Sequence, residues 1–82
     1  MTKKVNMLYN INDRQRIGTR IRDLRQKRNI STYQLEKLTG IQASNITQIE
    51  KGRYSTGLDI LAKIAAALGC DLDFVENEKA EP

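Results

Sequence analysis

The chain has 82 residues, 39% of them hydrophobic and 29% charged, with a net charge of +4, one cysteine and no histidine. That length holds one domain around one core, and the balance of residues is that of an ordinary folded chain and not of a disordered one. A lone cysteine without histidine excludes an internal disulfide, a multi-cysteine metal site and imidazole acid–base chemistry, so no metal, cofactor or catalytic residue is expected.

The charge is placed unevenly. Residues 1–56 carry twelve Lys/Arg against four Asp/Glu, or +8, while residues 57–82 carry two against six, or −4. A basic portion joined to an acidic one suggests a face for a polyanion. Arginines on a solvated helix are equally ordinary, so the charge does not decide the matter. The longest apolar stretch, residues 60–68, is interrupted by Lys63, and no segment is long enough to span a bilayer. No apolar run of signal-peptide length follows the basic start, so a cytoplasmic location is expected.

Residues 1–10 show no helical period and read as a disordered arm or as a short extended segment packed on the body or a partner. A first helix is expected over residues 13–28. Asn12 and Gln15 are placed for a capping box, and Ile17, Ile21 and Leu24 make one apolar stripe. Asn29, Ile30 and Ser31 break the pattern. Ser31 and Gln34 then form a Ser-x-x-Gln capping box, and Ile30 and Leu35 stand where a hydrophobic staple needs them. These signals predict a second helix over residues 32–39 that buries Leu35 and Leu38 and ends at Gly40. Two turns cannot persist alone in water, so packing must hold them.

After Ile41, a third helix is expected over residues 43–51, with Ile46 and Ile49 inward and Gly52 closing it. Gly57 or Thr56 caps a fourth helix over residues 58–68, whose Leu61, Ile64, Ala65 and Leu68 form its apolar face. Asp71 is expected to cap a short fifth helix over residues 72–75. The whole divides into an N-terminal arm (1–12), a domain (13–75) and an acidic tail (76–82). Cys70 reads as a small apolar filler. Tyr33 reads as either a surface aromatic or part of the core rim.

Two short helices joined by a tight Gly-containing turn, the second with a compact polar outer face, make a helix-turn-helix pattern over residues 31–52. A helix with its side chains is about as thick as the DNA major groove is wide, ~12 Å, so its outward residues should be small or polar. Ala43, Ser44, Thr47 and Gln48 meet that requirement, and Lys51 projects from the same side. Gln48 can pair with adenine, Ser44 and Thr47 can donate or accept, and the methyls of Ala43 and Thr47 can touch thymine. The first turn also offers backbone N–H groups to a phosphate. The bland alternative is an ordinary exposed helix face.

Three stretches carry a family resemblance: Leu35-Glu-Lys-Leu-Thr-Gly-Ile, Asn45-Ile-Thr-Gln-Ile-Glu-Lys-Gly and Leu61-Ala-Lys-Ile-Ala-Ala-Ala-Leu-Gly. Together they resemble the phage repressor and Cro-type helix-turn-helix proteins, the Xre family, across residues 17–74. The resemblance implies an all-α fold, a five-helix lambda-repressor-like DNA-binding domain with its helix-turn-helix at helices 2 and 3. It implies base reading by Ala43, Ser44, Thr47 and Gln48, a phosphate contact at Thr32, and positions near the DNA backbone at Asn45, Arg53 and Tyr54. Thr32 stands where the family often has glutamine, which shortens that contact. Gln42 stands where it usually has a capping serine or threonine, and so is free to reach toward DNA. Tyr54 reads alternatively as a loop anchor. The resemblance also implies a salt bridge between Arg25 and Glu50.

The implied partner is double-stranded DNA, bound as a homodimer by a transcriptional regulator, a repressor. Leu72, Phe74 and Val75 are the candidates for the dimer surface. The alternative readings are an antitoxin-type module, which neutralises a partner toxin and represses its own operon, and a restriction–modification controller protein.

Overall fold

A computed structural model describes residues 12–77, and within them four helices: α1 (Asn12–Lys27), α2 (Thr32–Thr39), α3 (Ala43–Glu50) and α4 (Leu58–Ala67). No strand occurs among the described residues, as an all-α fold requires. Most of the N-terminal arm (residues 1–11) and the end of the acidic tail (residues 78–82) lie outside them.

α1 follows its apolar stripe. Ile21 is buried, and Ile17 and Leu24 pack against the core from its margin. Asp13 in the first turn and Arg25 and Lys27 in the last complement the helix dipole. The helix ends where Asn29 adopts a left-handed φ of 57° and the Ile30 N–H reaches back to the Arg25 carbonyl at 3.0 Å. Asparagine tolerates that conformation better than most residues, and the reaching-back bond closes the last turn.

α2 forms where local chemistry dictates. The Gln34 N–H donates to Ser31 Oγ at 3.0 Å, and the Ser31 N–H donates to Gln34 Oε1 at 2.8 Å, completing the capping box. Gly40 ends the helix at φ 77°, its N–H on the Glu36 carbonyl at 2.7 Å. A Cβ there would meet nothing within 4 Å, so the glycine is required for its backbone conformation and not for space.

The core comprises Ile21, Leu35, Ile41, Ile46, Ile49, Ile64 and Leu68, and the side chains of Leu35, Ile46, Ile64 and Leu68 are almost wholly enclosed. Each of these four contributes about 1.5–3 kcal/mol by leaving water. α3 packs on both α1 and α2, and α2 also packs on α4. α1 and α3 approach closely at Gly18, in the middle of α1. A Cβ there would clash with the Ile49 carbonyl oxygen and lie 2.6 Å from that of Glu50. A glycine inside a helix costs about 0.5–1 kcal/mol relative to alanine. Here it lets the backbone of α1 touch the C-terminal end of α3.

Two expectations are corrected. Leu38, expected in the core, is 62% exposed. An eight-residue helix has one narrow buried line, and Leu35 occupies it with no solvent exposure. Leu38 falls at the margin, between hollows edged by Ile30 and Lys37 on one side and by Lys63 and Ala66 on the other.

The fifth helix over residues 72–75 does not form either, and residues 71–77 adopt neither helix nor strand. So short a helix needs packing to persist, yet Phe74 is 99% exposed and Val75 90%. The Phe74 N–H is instead taken by the Asp73 carboxylate at 2.7 Å, a local bond that competes with helix.

Candidate nucleic-acid interface

α3 is the element that the rest of the fold holds in place. Its inner side carries Ile46, Ile49 and Glu50, all buried, while Ser44 and Asn45 are exposed and Ala43, Thr47 and Gln48 are partly so. The apolar pair comes from the i, i+3 spacing of the helix and faces the core made by α1, α2 and α4. The candidate base readers thus sit on a helix whose other side is fixed. Lys51 follows as the exposed C-cap of α3.

Glu50 is the one buried charged residue among those described, and Arg25 answers it. Arg25 Nε donates to Glu50 Oε2 at 2.7 Å and Nη2 donates to Oε1 at 3.0 Å, a two-pronged contact with both side chains largely enclosed. Nη1 of the same guanidinium donates to the Ile30 carbonyl at 2.9 Å. One side chain therefore ties together α1, the connection to α2, and the last turn of α3. The hydrogen bond to Glu50 pushes the guanidinium further into its charged form. Burial opposes this and the Glu50 charge adds to it. The expected salt bridge is present, and its place makes it a strut behind α3.

The outward side chains are partly engaged with one another. Thr47 Oγ1 donates to the Ala43 carbonyl at 3.0 Å, so its hydroxyl keeps acceptor capacity and its methyl but not a free proton. Arg53 Nη1 donates to Gln48 Oε1 at 3.3 Å. With its carbonyl oxygen on Arg53, the Gln48 amide keeps its NH₂ donors, and a paired contact to adenine requires Arg53 to let go. Tyr54 OH donates to Asn45 Oδ1 at 3.2 Å, which favours the anchoring reading of Tyr54. Arg53 and Tyr54 reach back to α3 because the chain turns at Gly52, with the Arg53 N–H on the Gln48 carbonyl at 3.1 Å.

Thr32 lies partly buried at the start of α2, apart in sequence from the α3 group. Gln42 is exposed and makes no capping bond with its side chain. The Ala43 N–H, one of those expected to await a phosphate, already donates to Glu36 Oε1 at 3.0 Å. Sequence reasoning missed Glu36, because a cap delivered from another helix leaves no local signature. It also missed Gly18, although a glycine set between Ile17 and Ile21 in a strong helical stripe is itself a signal of close approach.

Among the described residues no cluster of His, Cys, Asp or Glu could hold a metal ion, and no helix is long and apolar enough to cross a membrane. The arrangement offers hydrogen-bonding groups on a helix whose opposite side is buried, followed by Lys51 and Arg53.

Comparison with known proteins points the same way. A family model described as helix-turn-helix matches residues 21–75. The chain is 30% identical over 63 residues to an immunity repressor protein of Bacillus phage phi105, covering 77% of this chain and 44% of that one. It is 43% identical over 51 residues to an uncharacterized HTH-type transcriptional regulator of Haemophilus influenzae, covering 62% and 52%. A further such regulator, from Archaeoglobus fulgidus, is 33% identical over 63 residues, covering 74% of this chain and 89% of its own length. The matched stretch thus spans about half the length of the first two relatives. No solved structure matches.

Proposed function

Because the chain belongs to the helix-turn-helix family of phage-repressor (Xre) type, we propose that it is a transcription regulator, a repressor, that binds double-stranded DNA in a sequence-specific way. α3 is the recognition helix, entering the major groove with Ala43, Ser44, Thr47 and Gln48 toward the base edges. Gln42 and Asn45 flank them, and Thr32, Lys51, Arg53 and Tyr54 lie along the DNA backbone. The observation that carries this reading is the division of α3. Ile46, Ile49 and Glu50 lock one side into the core and onto Arg25, while small and polar groups occupy the other.

One recognition helix reads only a few base pairs, so the protein acts as a twofold dimer on paired half-sites roughly one turn, ~34 Å, apart. Leu72, Phe74 and Val75 form the contact between the copies. In support, all three side chains stand exposed, and Leu72 and Phe74 line an open apolar groove with Leu58 and Leu61.

Selection of duplexes from a random-sequence pool tests the proposal. The expected result is an enriched, twofold-related sequence whose affinity falls steeply with salt, log K dropping by ~0.9 for each phosphate neutralised per unit of log salt. Failure to enrich any sequence, or a response flat in salt, sinks it.

A further inference from the structure

We propose that Glu36 caps the recognition helix: a positioning residue on α2 that takes the first amide of α3, at an end the side chain of residue 42 leaves uncapped. The proposal rests on the DNA-binding reading above and adds a residue that reading does not contain. A helix begins with amide groups that have no partner inside it, and a side-chain oxygen from the preceding residue normally satisfies one of them. Gln42 precedes α3, and its side chain makes no such bond. The Glu36 carboxylate arrives instead from the neighbouring helix and accepts the Ala43 N–H at 3.0 Å. A negative charge at that end is also favoured by the helix dipole.

A second bond places residue 36 at both ends of the turn, while the Ile41 N–H between them donates to Thr39 Oγ1 at 3.1 Å. The Glu36 backbone carbonyl accepts the Gly40 N–H at 2.7 Å, the bond that ends α2. One residue thus grips the last amide before the turn through its main chain and the first amide after it through its side chain. The angle between α2 and α3, and with it the placement of Ser44, Thr47 and Gln48, depends on that double grip. The arrangement also leaves the exposed Gln42 amide uncommitted at the leading end of α3, where a nearby base or phosphate can take it.

Three variants test this: Glu36→Ala, which removes the acceptor; Glu36→Gln, which keeps an oxygen; and Glu36→Ala combined with Gln42→Ser, which supplies a local cap. In the free protein, hydrogen exchange of the Ala43 amide should quicken about five- to tenfold in Glu36→Ala, the factor expected for losing one cap, and stay near its original rate in Glu36→Gln. On the duplex enriched by selection, Glu36→Ala should lose a similar factor in affinity while a scrambled duplex is bound nearly as before. The added Gln42→Ser should restore most of the loss. If Glu36→Ala does not fold, the double variant carries the test: near-original affinity supports the proposal, and continued failure overturns it. An Ala43 amide indifferent to Glu36→Ala, in a chain that still selects DNA, overturns the cap alone. A responsive amide in a chain that binds no DNA overturns the function and, with it, the role of Glu36 in recognition.

Discussion

Arg25 and Glu50 meet through two hydrogen bonds, 2.7 and 3.0 Å long, that join the end of α1 to the end of α3. Both side chains are mostly enclosed, so their attraction is offset by the cost of taking two charges out of water. The pair therefore adds less to stability than its geometry suggests. Its effect is to make one placement of α3 much better than its neighbours, since either charge alone in that place is strongly unfavourable.

Glu50→Ala is accordingly expected to cost about 3–5 kcal/mol by stranding Arg25, and replacing both residues with apolar ones of similar volume should recover much of it. Urea unfolding of the single and double variants measures this. Equal losses from both would show that the attraction itself, and not the stranded charge, dominates. The pH dependence follows from the raised guanidinium value of Arg25. A raised value contributes stability that is fully present below the unfolded-state value and lost only as pH climbs through the folded one. No loss from Arg25 is expected between neutrality and about pH 10, well below the range in which arginine titrates.

Gly18→Ala should destabilise the protein although alanine is the better helix former. The gain in helix propensity is about 1 kcal/mol. The new methyl, however, meets the carbonyls of Ile49 and Glu50, and overpacking typically costs 1–3 kcal/mol. Thermal unfolding should show a lower midpoint for the variant. A raised midpoint would mean that α1 and α3 separate at little cost.

Leu38 and Leu35 are three residues apart on one short helix and should behave oppositely. Leu38→Gln is expected to change stability by no more than about 0.5 kcal/mol, because the side chain is already mostly in water. Leu35→Ala should cost about 2–5 kcal/mol. Chemical denaturation of the two variants checks the contrast, and a large loss at Leu38 would reveal a cover over that margin.

On DNA, Gln48→Ala should alter preference at one base pair by ~1–3 kcal/mol, whereas Arg53→Ala should weaken binding to every sequence. The hydrogen bond between these two side chains adds a further expectation. Without Arg53, the Gln48 carbonyl is released, and preference at that base pair should move toward adenine. Competition with duplexes varied at single positions reads both effects. Identical, sequence-blind losses from the two substitutions would count against base reading by Gln48.

Much of the fold was legible in the chain because its signals are local. The Ser31–Gln34 box, the left-handed Gly40, and Ile46 with Ile49 each act within one or two helical turns, and each stands in the structure as the spacing implies. The outward set on α3 follows from the same period. The Arg25–Glu50 pair lay beyond local reasoning, since the partners are 25 residues apart, and it was legible only through family resemblance.

Four features waited for the tertiary structure, and each depends on what lies opposite in space. Whether Leu38 is core depends on whether another helix covers its margin, and none of those described does. The segment over residues 72–75 has helix-like residues, but among the described residues none encloses Phe74 to hold so short a helix together. Gly18 matters because the carbonyls of α3 stand against it, and Glu36 matters because the turn brings its carboxylate to an amide seven residues on. Caps and periodicity set which segments become helices. The crossing of those helices, and so the presentation of α3, was decided by contacts between residues distant in the chain, where packing leaves no room for alternatives.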